Sequence, residues 1–326
     1  MRAPRHLTSV AVVVLTALVV GAVVLVSSLL PAYAPNEPEV LASGLDGGAG
    51  STVGPGGDLY VVEPDAGELA RVDLRTGEVE TVATGLPSRR AGSPGGTVDV
   101  AFLGAFAYVL VSDADGLAGL YRIGAPGTVH LVADIGAWSG RHPPAGEYVV
   151  PTGVQDALER HHGSFLVSDG HHGRVLRVAP GNAIEELVAF GRDVVPTGLE
   201  AAGRSVLVAQ AGPLPHLPHD GRLVAVHPET GATRLETDGA PLLVDVEGGP
   251  LGLYALSQGT FHLGNPAHAP ADPRTGQVLV VGRGGALETV ARGLDRPTSL
   301  EVVGDTAYVV TADGTVYTVA LDVGAS

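Results

Sequence analysis

Six times along the chain, two short runs rich in β-forming residues flank a turn that contains Gly, and no other feature limits the fold as tightly. The copies are Leu59–Leu74, Ala107–Gly124, Phe165–Pro180, Val206–Pro228, Leu253–Gly282 and Ala307–Asp322. A hairpin of this size cannot bury both faces alone, so a repeat of hairpins means units that stack in a row or a ring. Composition agrees. Of the 326 residues 45% are hydrophobic and only 4% aromatic, so Val and Leu must fill the sheets, while 47 Gly and 24 Pro supply the many tight turns.

Around each hairpin the sequence offers two further strands. Inner-strand candidates precede it at Ser51–Pro55, Val98–Phe102, Pro151–Leu158, Pro196–Gly203, Leu242–Glu247 and Pro297–Val303. Outer-strand candidates follow at Glu78–Leu86, Thr128–Gly136, Ile184–Gly191, Ala232–Gly239 and Leu287–Leu294. The sixth hairpin has no outer strand after it, yet Glu39–Leu45, ahead of the first unit, reads like Leu287–Leu294. The N-terminal strand is therefore expected to complete the last unit, which closes the ring and leaves no unpaired edge. The expectation is all-β: a six-bladed β-propeller with four antiparallel strands per blade, spanning residues 39–326.

Ahead of it, residues 1–34 carry Arg2 and Arg5, an apolar run from Leu7 to Leu30 and an Ala32–Ala34 small-residue pattern. That is the make-up of a signal peptide or an N-terminal membrane anchor, with residues 35–38 as a linker. The expected location is extracytoplasmic, secreted or held to the membrane through this segment alone, as a monomer. The net charge of −16 excludes nucleic acid as a partner, because phosphate binding needs a basic surface. With no Cys and no Lys among its residues, the chain has no thiolate, disulfide or lysine chemistry. It also lacks a Gly-x-Ser-x-Gly elbow, a His-Glu-x-x-His zinc motif and a Gly-rich dinucleotide loop.

The segment Gly54–Ser88, the two Val-Pro-Thr-Gly strings (Val150–Gly153 and Val195–Gly198), the Pro-rich Gly212–Pro228 insertion and the closing Arg292–Val319 stretch resemble the ScyD/ScyE family. That family is similar in turn to NHL-repeat and gluconolactonase-type propellers. The resemblance runs from about Val40 to Val319 and implies a fold more than an activity. Such proteins often open their second blade with Gly-Pro-His-Asp; here Asp99 is kept and Val98 stands where the His would be. The gluconolactonase pattern asks for a Glu, an Asn and an Asp around the channel, and Pro-Thr-Gly stands where Pro-Asn-Gly would be expected.

Strand direction sorts the polar residues by face. Inner-strand starts and the turns after second strands share one end of a propeller, which collects Glu63, Asp99, Asp113, Asp169, His171, His172, Gln210, His216, His219, Asp245 and Gln258 at the channel mouth. His161 and His162 fall at the opposite end. Carboxylates, amides and imidazoles at one mouth suit a small polar molecule, or a divalent cation such as calcium or zinc on Glu63, Asp99 and Asp245. Most Asp-Gly pairs here are first of all turn formers, and Trp138 is placed as a plug between blades. Two functions follow as expectations. One is an exported propeller binding a small molecule or an extracytoplasmic protein at the mouth. The alternative is a divalent-metal-dependent hydrolase or lactonase.

Overall fold

The computed structural model describes residues 35–321 apart from 91–94, 113–116, 126, 147 and 267–268. The leader and Asp113 lie outside the described residues. No helix among the described residues is long and apolar enough to cross a membrane.

Among the described residues, twenty-four strands form six antiparallel four-stranded sheets. Blade 1 holds β2 (Ser51–Val53), β3 (Leu59–Glu63), β4 (Glu68–Val72) and β5 (Val79–Ala83). Blade 2 holds β6 (Gly96–Leu103), β7 (Phe106–Ser112), β8 (Gly119–Ile123) and β9 (Val129–Ala133). Blade 3 is β10 (Gln155–His161), β11 (Ser164–Asp169), β12 (Arg174–Ala179) and β13 (Ala183–Ala189). Blade 4 is β14 (Pro196–Ala202), β15 (Ser205–Gln210), β16 (Gly221–Val226) and β17 (Thr233–Ala240). Blade 5 is β18 (Leu243–Gly249), β19 (Gly252–Ser257), β20 (Gly276–Val281) and β21 (Leu287–Leu294). Blade 6 combines β22 (Pro297–Val303), β23 (Thr306–Thr311) and β24 (Val316–Ala320) with β1 (Glu39–Ala42) as its outer strand.

The N-terminal strand closes the ring as its sequence suggests, with Glu39 opposite Thr318 and Val40 opposite Tyr317. The segment read as a linker is itself docked: Asn36 bridges to Ala291, and its side-chain amide donates to the Ala320 carbonyl at 2.5 Å. First strands touch their neighbours in cyclic order, β2 reaching both β6 and β22. Apolar clusters fill every gap between adjacent blades. Leu110, Phe165 and Leu176 weld blade 2 to blade 3, and Val61, Val72 and Val310 weld blade 6 to blade 1. The rare aromatics are spent in these seams: Tyr108 meets Phe165 with ring centroids 4.8 Å apart. Burying a Val or Leu fully is worth about 1.5–3 kcal/mol, so the seams, not the turns, hold the ring.

One boundary needs correcting. Pro151-Thr152-Gly153 is not the start of an inner strand like Pro196-Thr197-Gly198; it is a turn, with Gly153 at φ 75°. The inner strand of blade 3 begins at Gln155, so Gln155-Asp156-Ala157-Leu158-Glu159 takes the place that Pro196–Glu200 takes in blade 4. The extra length carries a helix, α1 (Ile135–Arg141), capped by Asp134, whose carboxylate accepts from Ala137 N at 2.7 Å.

Candidate functional site

Each first strand faces the axis with one unpaired edge, and its N–H groups need acceptors. The preceding blade supplies them. Asp99 Oδ2 in β6 accepts from Leu158 N in β10 at 2.6 Å, and Asp245 Oδ2 in β18 accepts from Leu300 N in β22 at 2.8 Å. At the matching place of blade 6, Ser299 Oγ accepts from Ser51 N at 3.1 Å. Two residues further along, Glu159 takes the Ala201 N–H, Glu200 the Gly248 N–H and Glu301 the Val53 N–H. The acidic residues thus stitch adjacent blades together along the channel.

Two glycines make room for this. A Cβ on Gly50 would lie 2.0 Å from Asp99 Oδ1, and one on Gly198 would lie 2.4 Å from Asp245 Cα. Gly50 and Gly198 occupy the same place in blades 1 and 4, and Asp99 and Asp245 the same place in blades 2 and 5, so the clamp recurs every three blades.

The result is an arc of glutamates on four successive first strands, Glu159, Glu200, Glu247 and Glu301, with Asp99 and Asp245 beside it. All but Glu200 line a cavity of about 30 Å³ together with Ser51, Thr52 and Ser299, room for about two water molecules or one small head group. Among the described residues none of the six carboxylates makes an ion pair. Their protons are held tightly as a consequence. Burial first, and the neighbouring Glu200 second, push Glu159 up to about 8. Burial raises Asp245 to about 7 against the pull of two backbone N–H groups. Asp99, Glu247 and Glu301 are raised well above the carboxylate range, again by burial ahead of like charge. Glu247 stands apart: after burial, the influences on it are Glu301, Glu200, Asp245 and Glu159, all raising it.

Sequence reasoning named Asp99 and Asp245 and passed over the four glutamates. The signal was present as Leu158-Glu159, Leu199-Glu200, Val246-Glu247 and Leu300-Glu301, an apolar–Glu step in four of six inner strands. The remaining candidates do not join the axial group. Glu63, raised by burial, accepts from Asp46 N at 2.6 Å. Asp169 is fully buried, its Oδ2 2.9 Å from His172 Nδ1 and 3.2 Å from Arg174 Nε. His171 Nε2 accepts from Val150 N at 3.1 Å, and burial lowers the pKa of that ring. Gln210 is buried at the end of β15, and Gln258 Oε1 accepts from Ala271 N at 3.2 Å. His216 and His219 hold the Gly212 and Gly239 carbonyls at 3.1 and 3.2 Å. Trp138 sits in α1 against the seam of blades 2 and 3.

The expected metal trio is not brought together. Asp99 and Asp245 line one cavity, but their carboxylates already accept backbone N–H groups, and Glu63, tied to Asp46, does not line it. Among the described residues no three His, Asp or Glu side chains form a group that could hold a metal ion.

No protein-family model and no curated protein sequence matches this chain. Solved structures do match its fold, among them gluconolactonases, sugar dehydrogenases, virginiamycin B lyases and a calcium-binding protein. A PQQ-bound aldose sugar dehydrogenase from Streptomyces coelicolor is similar at TM-score 0.62 and 13% identity, covering 86% of this chain and 96% of that one. A gluconolactonase from Xanthomonas campestris gives TM-score 0.60 at 13% identity over 86% and 88% of the two chains. The calcium-binding protein regucalcin from Agrobacterium tumefaciens gives 0.60 at 16% over 89% and 95%. The chain is a six-bladed β-propeller, and at these identities the likeness concerns the fold alone.

Proposed function

We propose that this is an exported propeller of the ScyD/ScyE kind that captures a small ligand bearing a cationic head group at the axial channel. The observation behind this reading is the acidic arc and its two aspartates, which make no ion pair among the described residues, with Arg160 beside Glu159 as a weak cationic neighbour. Two unit charges 4 Å apart at an effective dielectric of about 20 interact by about 4 kcal/mol. A cation entering this cavity relieves repulsion that the folded chain otherwise avoids by holding protons. Glu247 is the group with most to gain, because its surroundings are other carboxylates.

The test is calorimetry on the secreted product at pH 8.5 with n-butylammonium, spermidine and calcium chloride, and n-butanol as the neutral control. Saturable ammonium binding that drops at least tenfold in Glu247→Gln and is absent for butanol supports the reading. No heat from either amine, or binding unchanged in Glu247→Gln and Glu301→Gln, overturns it. Fold neighbours that include gluconolactonases favour, in general terms, a second reading as a divalent-metal-dependent lactonase. Calcium-dependent lactone hydrolysis without amine binding would put that reading in its place.

A further inference from the structure

The axial cavity is not walled by carboxylates alone. Ser51, Thr52 and Ser299 line it as well, all at the junction of blades 6 and 1. One contact pattern occurs twice along that junction. Ser51 N donates to Ser299 Oγ at 3.1 Å, and two residues further along both strands the Val53 N–H goes to Glu301. The cavity therefore has two tiers, a hydroxyl tier at Ser51 and Ser299 and a carboxylate tier at Glu301. At the rise of a β-strand they lie about 6.7 Å apart. Glu247 belongs to the carboxylate tier, since it follows Asp245 by two residues as Glu301 follows Ser299.

The hydrogen bonds of the hydroxyl tier have a direction. The Ser51 and Ser299 hydroxyls lie 2.9 Å apart, and from distance alone either one could donate. Asp245 decides between them. An ionised carboxylate only accepts, and the Ser299 hydroxyl is one of its donors. Ser299 has a single hydroxyl proton, which goes to Asp245, so its oxygen accepts both the Ser51 hydroxyl and the Ser51 N–H. Ser51 Oγ keeps its lone pairs: among the described residues no hydrogen bond is donated to it. Ser51 is 6% exposed and lines the cavity, so this acceptor belongs to the same small polar space as Glu247 and Glu301.

We infer, resting on the cation capture proposed above, that the ligand is a small protonated amine with a hydroxyl group on the adjacent carbon, its ammonium on Glu247 and Glu301 and its hydroxyl donating to Ser51 Oγ. The spacing follows from the tiers. An ammonium and a hydroxyl on adjacent carbons, each making one hydrogen bond of about 2.8 Å, reach from one tier to the other. A longer spacer is excluded by volume, since a cavity of about 30 Å³ admits one short head group. A plain alkylamine sets a methyl group against Ser51 Oγ and leaves that buried acceptor without a donor, which costs affinity.

The test is calorimetry on the full secreted chain at pH 8.5 with three amines. They are ethanolamine, n-propylamine, in which a methyl group replaces the hydroxyl, and 2-methoxyethylamine, which keeps the oxygen without its proton. Ethanolamine should bind about three- to tenfold more tightly than n-propylamine, the effect of one hydrogen bond, and 2-methoxyethylamine no more tightly than n-propylamine. Ser51→Ala removes the acceptor and keeps the backbone N–H that Ser299 holds. It should erase the difference between ethanolamine and n-propylamine, with its melting temperature checking that it folds. If it does not fold, the methoxy amine on the parent decides the same point. Equal binding of ethanolamine and n-propylamine to the parent overturns the inference and leaves cation capture standing. So does a preference that survives in Ser51→Ala or extends to 2-methoxyethylamine. Heat from none of the three amines overturns both.

Discussion

Gly198 shows how a single hydrogen atom can decide a seam. Its missing Cβ is what lets β18 approach until Asp245 reaches across to Leu300 N, and the atom in the way would be the Asp245 Cα, which cannot rotate aside. Gly50 is a parallel case, with Asp99 Cα 2.6 Å from the would-be Cβ. Neither glycine needs a positive φ, so the constraint is space and not backbone conformation. Forcing a methyl group into such a contact costs about 1–3 kcal/mol. Gly198→Ala and Gly50→Ala should each lower the unfolding free energy by that amount in urea melts, while Gly163→Ala, with open space around its Cβ and no positive φ, should not. Equal stabilities for Gly198→Ala and the parent would remove the clamp from the account.

At the scale of strands, most of the architecture was legible because its signal is redundant. Each hairpin repeats the same alternation, and the N-terminal strand repeats an outer strand, so blade number and closure could be read from pattern alone. Register was harder. The string Pro-Thr-Gly suggested equivalence between residues 151–153 and 196–198, but a short turn motif recurs for local reasons. The position that faces the channel is set by pairing, as Asp245 opposite Leu256 and Leu158 opposite Val167 show. Asp99 and Asp245 were visible as charges inside apolar strands. The glutamate arc became visible only once blade 3 was aligned on Leu158-Glu159. The His172 knot was not legible, because it depends on Arg174 and α1 meeting in space. Closure by β1 makes its own prediction. Removing Asn36–Ala42 leaves β24 with an open edge and strips Leu41 and Ala42 from the seam with blade 1. The truncated chain should melt lower and self-associate by light scattering; a monomer of unchanged melting temperature would show that the ring does not need its clasp.

For the whole molecule, the acidic channel turns pH into a stability variable with an unusual sign. Carboxyl groups of an unfolded chain lose their protons near pH 4, whereas Asp245 holds its proton to about 7 and Glu159 to about 8. Between those limits the folded chain binds more protons than the unfolded one, so unfolding releases protons and is favoured as pH rises. The stabilisation is complete below about pH 4 and is lost as pH passes through 7 and 8, at a slope of up to about 1.4 kcal/mol per pH unit for each group. Asp156 adds in the same direction, though its exposure to solvent lessens its share. His171 and His216, depressed by burial, act oppositely and weaken the fold as pH falls below their unfolded value near 6.5. Together these place greatest stability in mildly acidic solution. Melting temperature should therefore decline steadily from pH 6 to pH 9, where many soluble proteins are level. Glu159→Gln keeps an oxygen for the Ala201 N–H while removing the charge. It should match the parent at pH 5, exceed it by several degrees at pH 9, and flatten the profile between. A parent profile that is level or rises over this range, or a Glu159→Gln curve that runs parallel to it, would mean that the axial carboxylates are ionised in the folded ring and that the cavity already balances their charge.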